Sequence, residues 1–215
     1  MSRNQYRVGQ IRIDNEALIL QAAEQEFARV GFSGTSISRI AQEAGVPRSN
    51  VHYYFSSKEA LYQRLLTNVL DAWNRSFPEI TPEDDPAQAL GEYIRAKLDF
   101  SRNEPNASKI FANEILRGAP LLKAFLQENY STWLKRKQDV IQQWIAQGKM
   151  DDIDPLNLLF MIWATTQHYA DFDVQVKTAL GRDDYTEEDF ARITRTVKHI
   201  ILKGCGLTPG VDTGQ

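Results

Sequence analysis

The sequence is poor in the residues that most often carry chemistry. Cys205 is the one cysteine among 215 residues, which excludes an intramolecular disulfide framework and any metal cluster built from several cysteines. The three histidines, His52, His168 and His199, are far apart and show no metal-ligand spacing with acidic residues or Cys205. No G-x-G-x-x-G or phosphate-loop pattern is present. Gly31-Phe32-Ser33-Gly34 falls one residue short of a nucleophile elbow and follows a helical pattern rather than a strand. The expectation is therefore a protein that is not an enzyme and needs no cofactor or metal. Long apolar runs are missing as well. The longest, Leu158–Ala164, is far short of the roughly 20 residues a membrane helix requires. Met1-Ser2-Arg3-Asn4-Gln5 leads into no apolar stretch with a cleavage site, so no secretory signal and a cytoplasmic location are expected.

What is present is ordinary globular composition, with 42% hydrophobic and 25% charged residues and no internal repeat or low-complexity segment. That is enough to build a core of useful size. Net charge is −3, which taken alone argues weakly against nucleic acid. Its distribution changes the reading. Residues 1–64 hold eight basic and six acidic side chains, leaving 17 basic and 22 acidic for the rest. The N-terminal third is mildly basic and the remainder acidic.

No stretch alternates apolar and polar residues with β-branched enrichment, and helix-period patterns lie between most of the prolines. Both point to an all-α fold. A first helix is expected over about Asp14–Val30, with Leu18, Ala22, Ala23 and Phe27 on one face and Gly31 supplying the positive φ of its C-terminal cap. Short helices follow at about 36–44, capped by the hydroxyl of Thr35 or Ser36, and from Pro47 to about Tyr54. Ser56-Ser57-Lys58-Glu59 reads as a capping box that opens a longer helix through Leu61, Leu65, Val69 and Trp73. Beyond the acidic Pro78–Asp85 loop, helices are expected at about 87–102, 107–117 and 121–147, the last including Phe125, Trp133, Leu134, Ile141 and Trp144. Further helices run from Asp154-Pro155 to about Thr178 and from the Thr186 cap to about Lys203. The tail after Gly204 is expected to fray.

The segment Thr35–Phe55, TSISRIAQEAGVPRSNVHYYF, carries the clearest functional signal. Two short helices joined by a tight turn must cross steeply, which calls for a small residue at the crossing (Ala41) and a turn glycine (Gly45). Ile37, Ile40, Val46 and Val51 form the apolar seam. This is a helix-turn-helix, whose second helix can enter a major groove. Arg48, Ser49, Asn50, His52 and Tyr53 line that helix with groups suited to base edges and phosphates. Thr35 and Ser36 sit at the first helix's N-terminus, where free N–H groups favour a phosphate, and Lys58 starts the next helix. On pattern alone an ordinary αα-hairpin with polar residues outside is as good a reading.

Gly31-Phe32, Thr35-Ser36-Ile37, Ile40-Ala41, Ala44-Gly45-Val46, Tyr53-Tyr54-Phe55 and Ser57-Lys58-Glu59-Ala60-Leu61 together resemble the DNA-binding signature of TetR-family transcriptional regulators. The resemblance implies a homodimer that places one recognition helix per subunit in successive major grooves of a near-palindromic operator, with the double-stranded DNA released when a small effector binds. It divides the chain into a DNA-binding domain, 1–57, and an effector-binding and dimerisation domain, 58–215.

In the second part the helix from Pro155 begins Leu156, Leu158, Leu159, Phe160, Met161, Ile162, Trp163, Ala164, almost without a polar face. Such a helix is buried on both sides, one against its own subunit and the other, with the final helix, against a partner. It then turns polar through Thr165-Thr166-Gln167-His168-Tyr169-Ala170-Asp171. Buried polar groups need partners, supplied either across an interface or by a small pocket. This run, with Tyr93-Ile94-Arg95, Lys97-Leu98, Ser101-Arg102, Ala107-Ser108 and Gly118-Ala119-Pro120, resembles a pyrimidine-utilisation subgroup of the TetR family whose effector is uracil. The resemblance makes Gln167 a ligand contact through its complementary carboxamide, Trp163 an aromatic wall, and Trp73 a further pocket residue coupled to the reading head. For each the alternative is ordinary core. His168 and Asp171 read as interface or network residues. At the reading surface the chain has Pro47-Arg48-Ser49-Asn50-Val51-His52 where the subgroup has Ser-Lys-Thr-Asn-Leu-Leu, so the operator sequence does not carry over.

Overall fold

The computed structural model describes residues 3–76, 79–123 and 126–208. Among these there are ten α-helices, one π-helical turn and no strand. Packing groups the chain into two compact units, Met1–Asp71 with Lys109–Leu121 and Ala72–Ser108 with Leu122–Gln215.

In the first unit α1 spans Arg3–Gly34, starting well before the expected Asp14. Arginine and glutamine, good helix formers, supply five of the eleven added residues. Its inward face is Ile19, Ala22, Ala23 and Phe27; the last three are those expected, while Leu18 is 45% exposed and Ile19 takes its place. Gly31 breaks the helix at φ 70°, ψ 176°, where the sequence required it. α2 (Ile37–Glu43) is capped by Ser36, whose Oγ accepts from the Arg39 N–H at 3.2 Å. Thr35 does not cap; its buried hydroxyl donates back to the Gly31 carbonyl at 2.8 Å. Gly45, at φ 66°, closes α2. Its N–H bonds the Gln42 carbonyl and that of Val46 bonds Ala41, a pairing that satisfies the helix's last carbonyls and needs a left-handed residue between. α3 (Arg48–Tyr54) follows directly, pinned by the fully buried Val51.

α4 (Lys58–Ser76) buries Leu61, Tyr62, Leu65, Leu66 and Val69. Its cap is Ser57, which accepts from the Ala60 N–H, rather than the expected Ser56 paired with Glu59. The Glu59 carboxyl instead sits near Ser57, and hydrogen bonding holds it below the usual range. α6 (Pro105–Leu116) ends at Gly118 and the buried Ala119. The Tyr62 hydroxyl donates to the Ile110 carbonyl, and burial beside Glu114 pushes it up to about 12.

The second unit is built from α5 (Pro86–Asn103), α7 (Ser131–Ala146), α8 (Pro155–Asp171), α9 (Asp173–Leu180) and α10 (Glu187–Gly204). α5 is central, packing against both α8 and α10. Leu90, Ile94 and Leu98 meet Trp144, Leu159, Ile162 and Leu202 in one core. Asp85, Asp154 and Thr186 cap their helices, the first two ahead of a proline in the first turn. Two expected helices are shorter than anticipated. The one expected over 121–147 starts at Ser131, because Gly118 and Ala119 are used to terminate α6 and a π-helical turn at Leu126–Tyr130 precedes α7. Phe125, expected in that helix, lies outside the described residues. The one expected to reach Thr178 breaks at Phe172, φ −117° and ψ 31°, and restarts as α9.

The segment after Gly204 does not fray through Thr208. Cys205 and Leu207 are buried, and the Asp151 N–H bonds the Cys205 carbonyl at 2.9 Å. Gly206, at φ 71°, lies so close to Asp151 that a Cβ there would fall 2.4 Å from its carboxylate. Burial raises the Cys205 thiol to about 11, which makes it a packing residue rather than a nucleophile.

Candidate DNA-reading surface and effector site

α3 presents its polar residues outward. Arg48, Ser49, His52 and Tyr53 are exposed and Asn50 half-buried, with Tyr53 70% exposed and its ring edge-on to Tyr54 at 5.1 Å. Arg48, Ser49 and Asn50 occupy the first turn of α3; the Asn50 N–H bonds the Pro47 carbonyl at 2.9 Å, and the N–H groups of Arg48 and Ser49, with no intrahelical acceptor, favour negative charge. Ser36 is exposed at the start of α2, whereas Thr35 is 3% exposed.

Lys58 is placed differently from these. Its ammonium donates to the Phe32 carbonyl at 2.8 Å and the Thr35 carbonyl at 2.9 Å, and it lies 4.4 Å over the Phe32 ring. Two charge-assisted bonds tie α4 to the α1–α2 junction. Hydrogen bonds to charged groups contribute about 1.5–3 kcal/mol each. Lys58→Met should therefore lower the melting temperature by about 5 °C or more and leave the salt dependence of DNA binding unchanged. An unaltered melting temperature with a salt slope reduced by about one would make Lys58 a phosphate contact instead.

A second latch escaped the sequence reading. Glu26 on α1 is 4% exposed and accepts two bonds of 2.9 Å from Arg29, with Arg39 of α2 at 3.6 Å. The Glu26/Arg29 spacing was a visible signal; Arg39 reaches it only through the tertiary crossing.

In the second unit, the proposed pocket residues fall into two groups. Trp163, on α8, donates through its indole to the Tyr93 hydroxyl of α5. Its ring packs near Phe160, Tyr130 and Trp133, with centroids 5.5, 6.1 and 6.3 Å away. Trp73 sits in another group, edge-on to Phe100 at 5.8 Å with the Lys97 ammonium 4.0 Å above its ring. Gln167 lies on α8 between Trp163 and Asp171 at four-residue steps, on one helical face. It is half-buried, and its carboxamide makes no hydrogen bond to the protein among the described residues.

Lys97 was not singled out by the sequence. It is 3% exposed on the buried face of α5, and burial lowers its ammonium to about 7, with the Asp171 charge opposing that shift. Asp171 accepts from the Ser108 hydroxyl at 2.7 Å. Near them the Ser101 hydroxyl donates to the Thr166 carbonyl. The available signal was a lysine at helical spacing between Tyr93 and Ser101 on an otherwise inward face. His168 stacks on Phe172 at 5.1 Å, outside these hydrogen bonds.

α8 and α10 also carry large apolar side chains on the outside of the unit. Met161 is 56% exposed and Ile200 61%, with Phe160 partly exposed. Within the single chain α8 buries Leu158, Leu159, Ile162, Thr166 and Ala170, and the face expected to meet a partner, with Phe160 and Met161, is open. No helix among the described residues is long and apolar enough to cross a membrane, and no group of His, Cys, Asp and Glu among them is arranged to hold a metal ion.

A short helix pair closed by Gly45 and presenting a polar second helix defines a helix-turn-helix DNA-binding protein. Residues 19–65 match the model for bacterial regulatory proteins of the tetR family, and residues 66–208 that for the YcdC-like protein C-terminal region. The chain is 43% identical over 186 residues to the HTH-type transcriptional regulator RutR of Escherichia coli K12, covering 86% of this chain and 88% of that protein. A crystal structure of a transcriptional regulator from Streptomyces coelicolor superposes with TM-score 0.62 at 26% identity, covering 86% of this chain and 96% of the other. The ketosteroid regulator KstR2 of Mycobacterium tuberculosis shares the fold at TM-score 0.71 and 19% identity, over 88% and 94% of the two chains. The chain belongs to the TetR family: it is a RutR-like, ligand-responsive DNA-binding transcriptional regulator and not an enzyme.

Proposed function

We propose that the protein is a homodimeric repressor released from its operator by uracil or a closely related pyrimidine. The observation that carries DNA reading is the row of exposed Arg48, Ser49, His52 and Tyr53 with half-buried Asn50 on a helix held by Val51 and Gly45. Arg48, Asn50 and Tyr53 read bases; Ser36 and the free N–H groups at the starts of α2 and α3 hold phosphates. Thr35 and Lys58 support this surface from beneath through their bonds to Gly31, Phe32 and the backbone of the α1–α2 junction. In functional terms residues 1–57 form the reader and 58–215 the sensor.

The pyrimidine assignment rests on the RutR likeness and on chemistry that fits it. Gln167 offers a complementary donor and acceptor to a ring with adjacent C=O and N–H, and Trp163 and Trp73 offer aromatic faces. α4, 19 residues and so about 28 Å long, contributes to both compact units and is the natural carrier of the signal. The ligand shifts the equilibrium between operator-competent and released dimers by its differential affinity for them.

The test is a fluorescence-anisotropy titration of the protein on DNA from upstream of its own gene, across a salt series, with and without uracil. Tight, salt-dependent binding that uracil reverses is expected; no binding at low salt would sink the regulator reading for this DNA. Retained binding that uracil, thymine and 5,6-dihydrouracil all leave untouched would remove the pyrimidine assignment alone. Gln167→Leu should bind operator like the wild type and lose at least about tenfold in uracil sensitivity, in line with one charged or complementary hydrogen-bond pair.

A further inference from the structure

Lys97 is the residue that packing explains least. It is 3% exposed, in the face of α5 that otherwise presents Tyr93, Ile94, Leu98 and Ser101 to the core. Its ammonium has three donors, and among the described residues it meets a ring face, that of Trp73, and no hydrogen-bond acceptor. A methionine would fill the same volume with no charge to desolvate, so stability alone does not account for a lysine here. Asp171, the charge that supports it electrostatically, projects from the same α8 face as Gln167 and is steadied by Ser108. The Lys97 ammonium thus lies over the Trp73 indole and feels the Asp171 carboxylate, which shares its helical face with the Gln167 carboxamide, and the cation and anion leave no net charge.

We infer that Lys97 and Asp171 are effector contacts that determine specificity: the Lys97 ammonium donates to a ring carbonyl of the effector, and the Asp171 carboxylate accepts from a ring N–H. The inference rests on the effector site proposed above and narrows its ligand. A paired cation and anion select a neutral ring that carries both acceptor and donor, such as a cyclic imide or ureide. They reject acyl chains, which lack the N–H, and ions of either sign, which leave one of the two charges unpaired.

Isothermal titration of the full-length dimer with uracil and with 1,3-dimethyluracil, which keeps both carbonyls and has no N–H, tests this together with melting curves and operator titrations. Wild type should bind uracil at least about 30-fold more tightly than the dimethyl compound, as expected when a buried acceptor is left unpaired. Lys97→Met should weaken uracil at least about 30-fold. Its melting temperature without ligand should equal or exceed that of the wild type, and its operator affinity should be unchanged. Asp171→Asn should shrink the gap between uracil and the dimethyl compound. Wild-type-like uracil binding by Lys97→Met overturns the inference and leaves the pyrimidine reading standing. A lowered melting temperature with operator binding lost also overturns it, since that marks Lys97 as structural. Should wild type bind no pyrimidine, both readings fall together.

Discussion

The double variant Arg48→Ala, Tyr53→Ala is expected to lose operator affinity by about 100-fold or more while folding like the wild type. Both side chains lie on the outer face of α3 and neither belongs to the core, which at this helix is Val51 alone. Removing them should leave the melting temperature within a degree or two. A well-placed base contact discriminates by about 1–3 kcal/mol, so two of middling strength, about 2 kcal/mol each, lost together give more than two orders of magnitude in affinity. The loss should also be specific. Binding to unrelated DNA, which depends on phosphates and counterion release, should fall far less, and the salt slope by at most about one. An operator affinity within threefold of wild type, with the fold intact, would mean that α3 is not the reading helix.

The second large effect is expected at the outer faces of α8 and α10. Met161→Glu combined with Ile200→Glu should sediment as a monomer where the proposed homodimer is expected of the wild type, and should abolish operator binding at concentrations where the wild type saturates. Met161 and Ile200 lie, more than half exposed, on the two helices that the proposed dimer would bring against a partner. Two carboxylates buried without partners would each cost several kcal/mol on association. A monomer engages one half-site, so its affinity falls by the effective concentration that dimerisation supplies. A double variant that still sediments as a dimer would place the interface elsewhere.

How much of this could be read from the residues follows the range of the interactions involved. Gly31, Gly45, Ser36, Asp154-Pro155 and Thr186 act within a turn of their own position, and the helix boundaries they set agree with the structure within a residue or two. The helix-turn-helix was legible for the same reason. The break at Phe172 and the π-helical turn before α7 were not, because no proline or glycine marks either one. Ser56 and Ser57 are equally good caps on paper, and only the register of α4 decides between them. The candidate site divides in the same way. Gln167 and Trp163 share a visible helical face. The roles of Lys58 and Lys97, by contrast, depend on carbonyls of the α1–α2 junction and on an indole, each more than 20 residues away in sequence. Lysine is usually a surface residue, so its pattern alone directs attention outward.

The interleaving of the two packed units bears on how such regulators can be recombined. The first unit is completed by residues 109–121, which return from the middle of the chain and bring the Ile110 carbonyl to Tyr62, the Arg117 guanidinium to Phe32, and the buried Glu114 carboxylate to the Leu121 amide. A reader cut out as one continuous N-terminal fragment therefore leaves behind part of its own scaffold. Chimaeras that graft this head onto another sensor should need the α6 segment transplanted along with it, and a simple crossover near residue 57 should give a protein whose Phe32 and Tyr62 have lost their cover. For this architecture the portable unit is a discontinuous one, and exchange of specificities is easier by altering a handful of α3 side chains than by swapping domains.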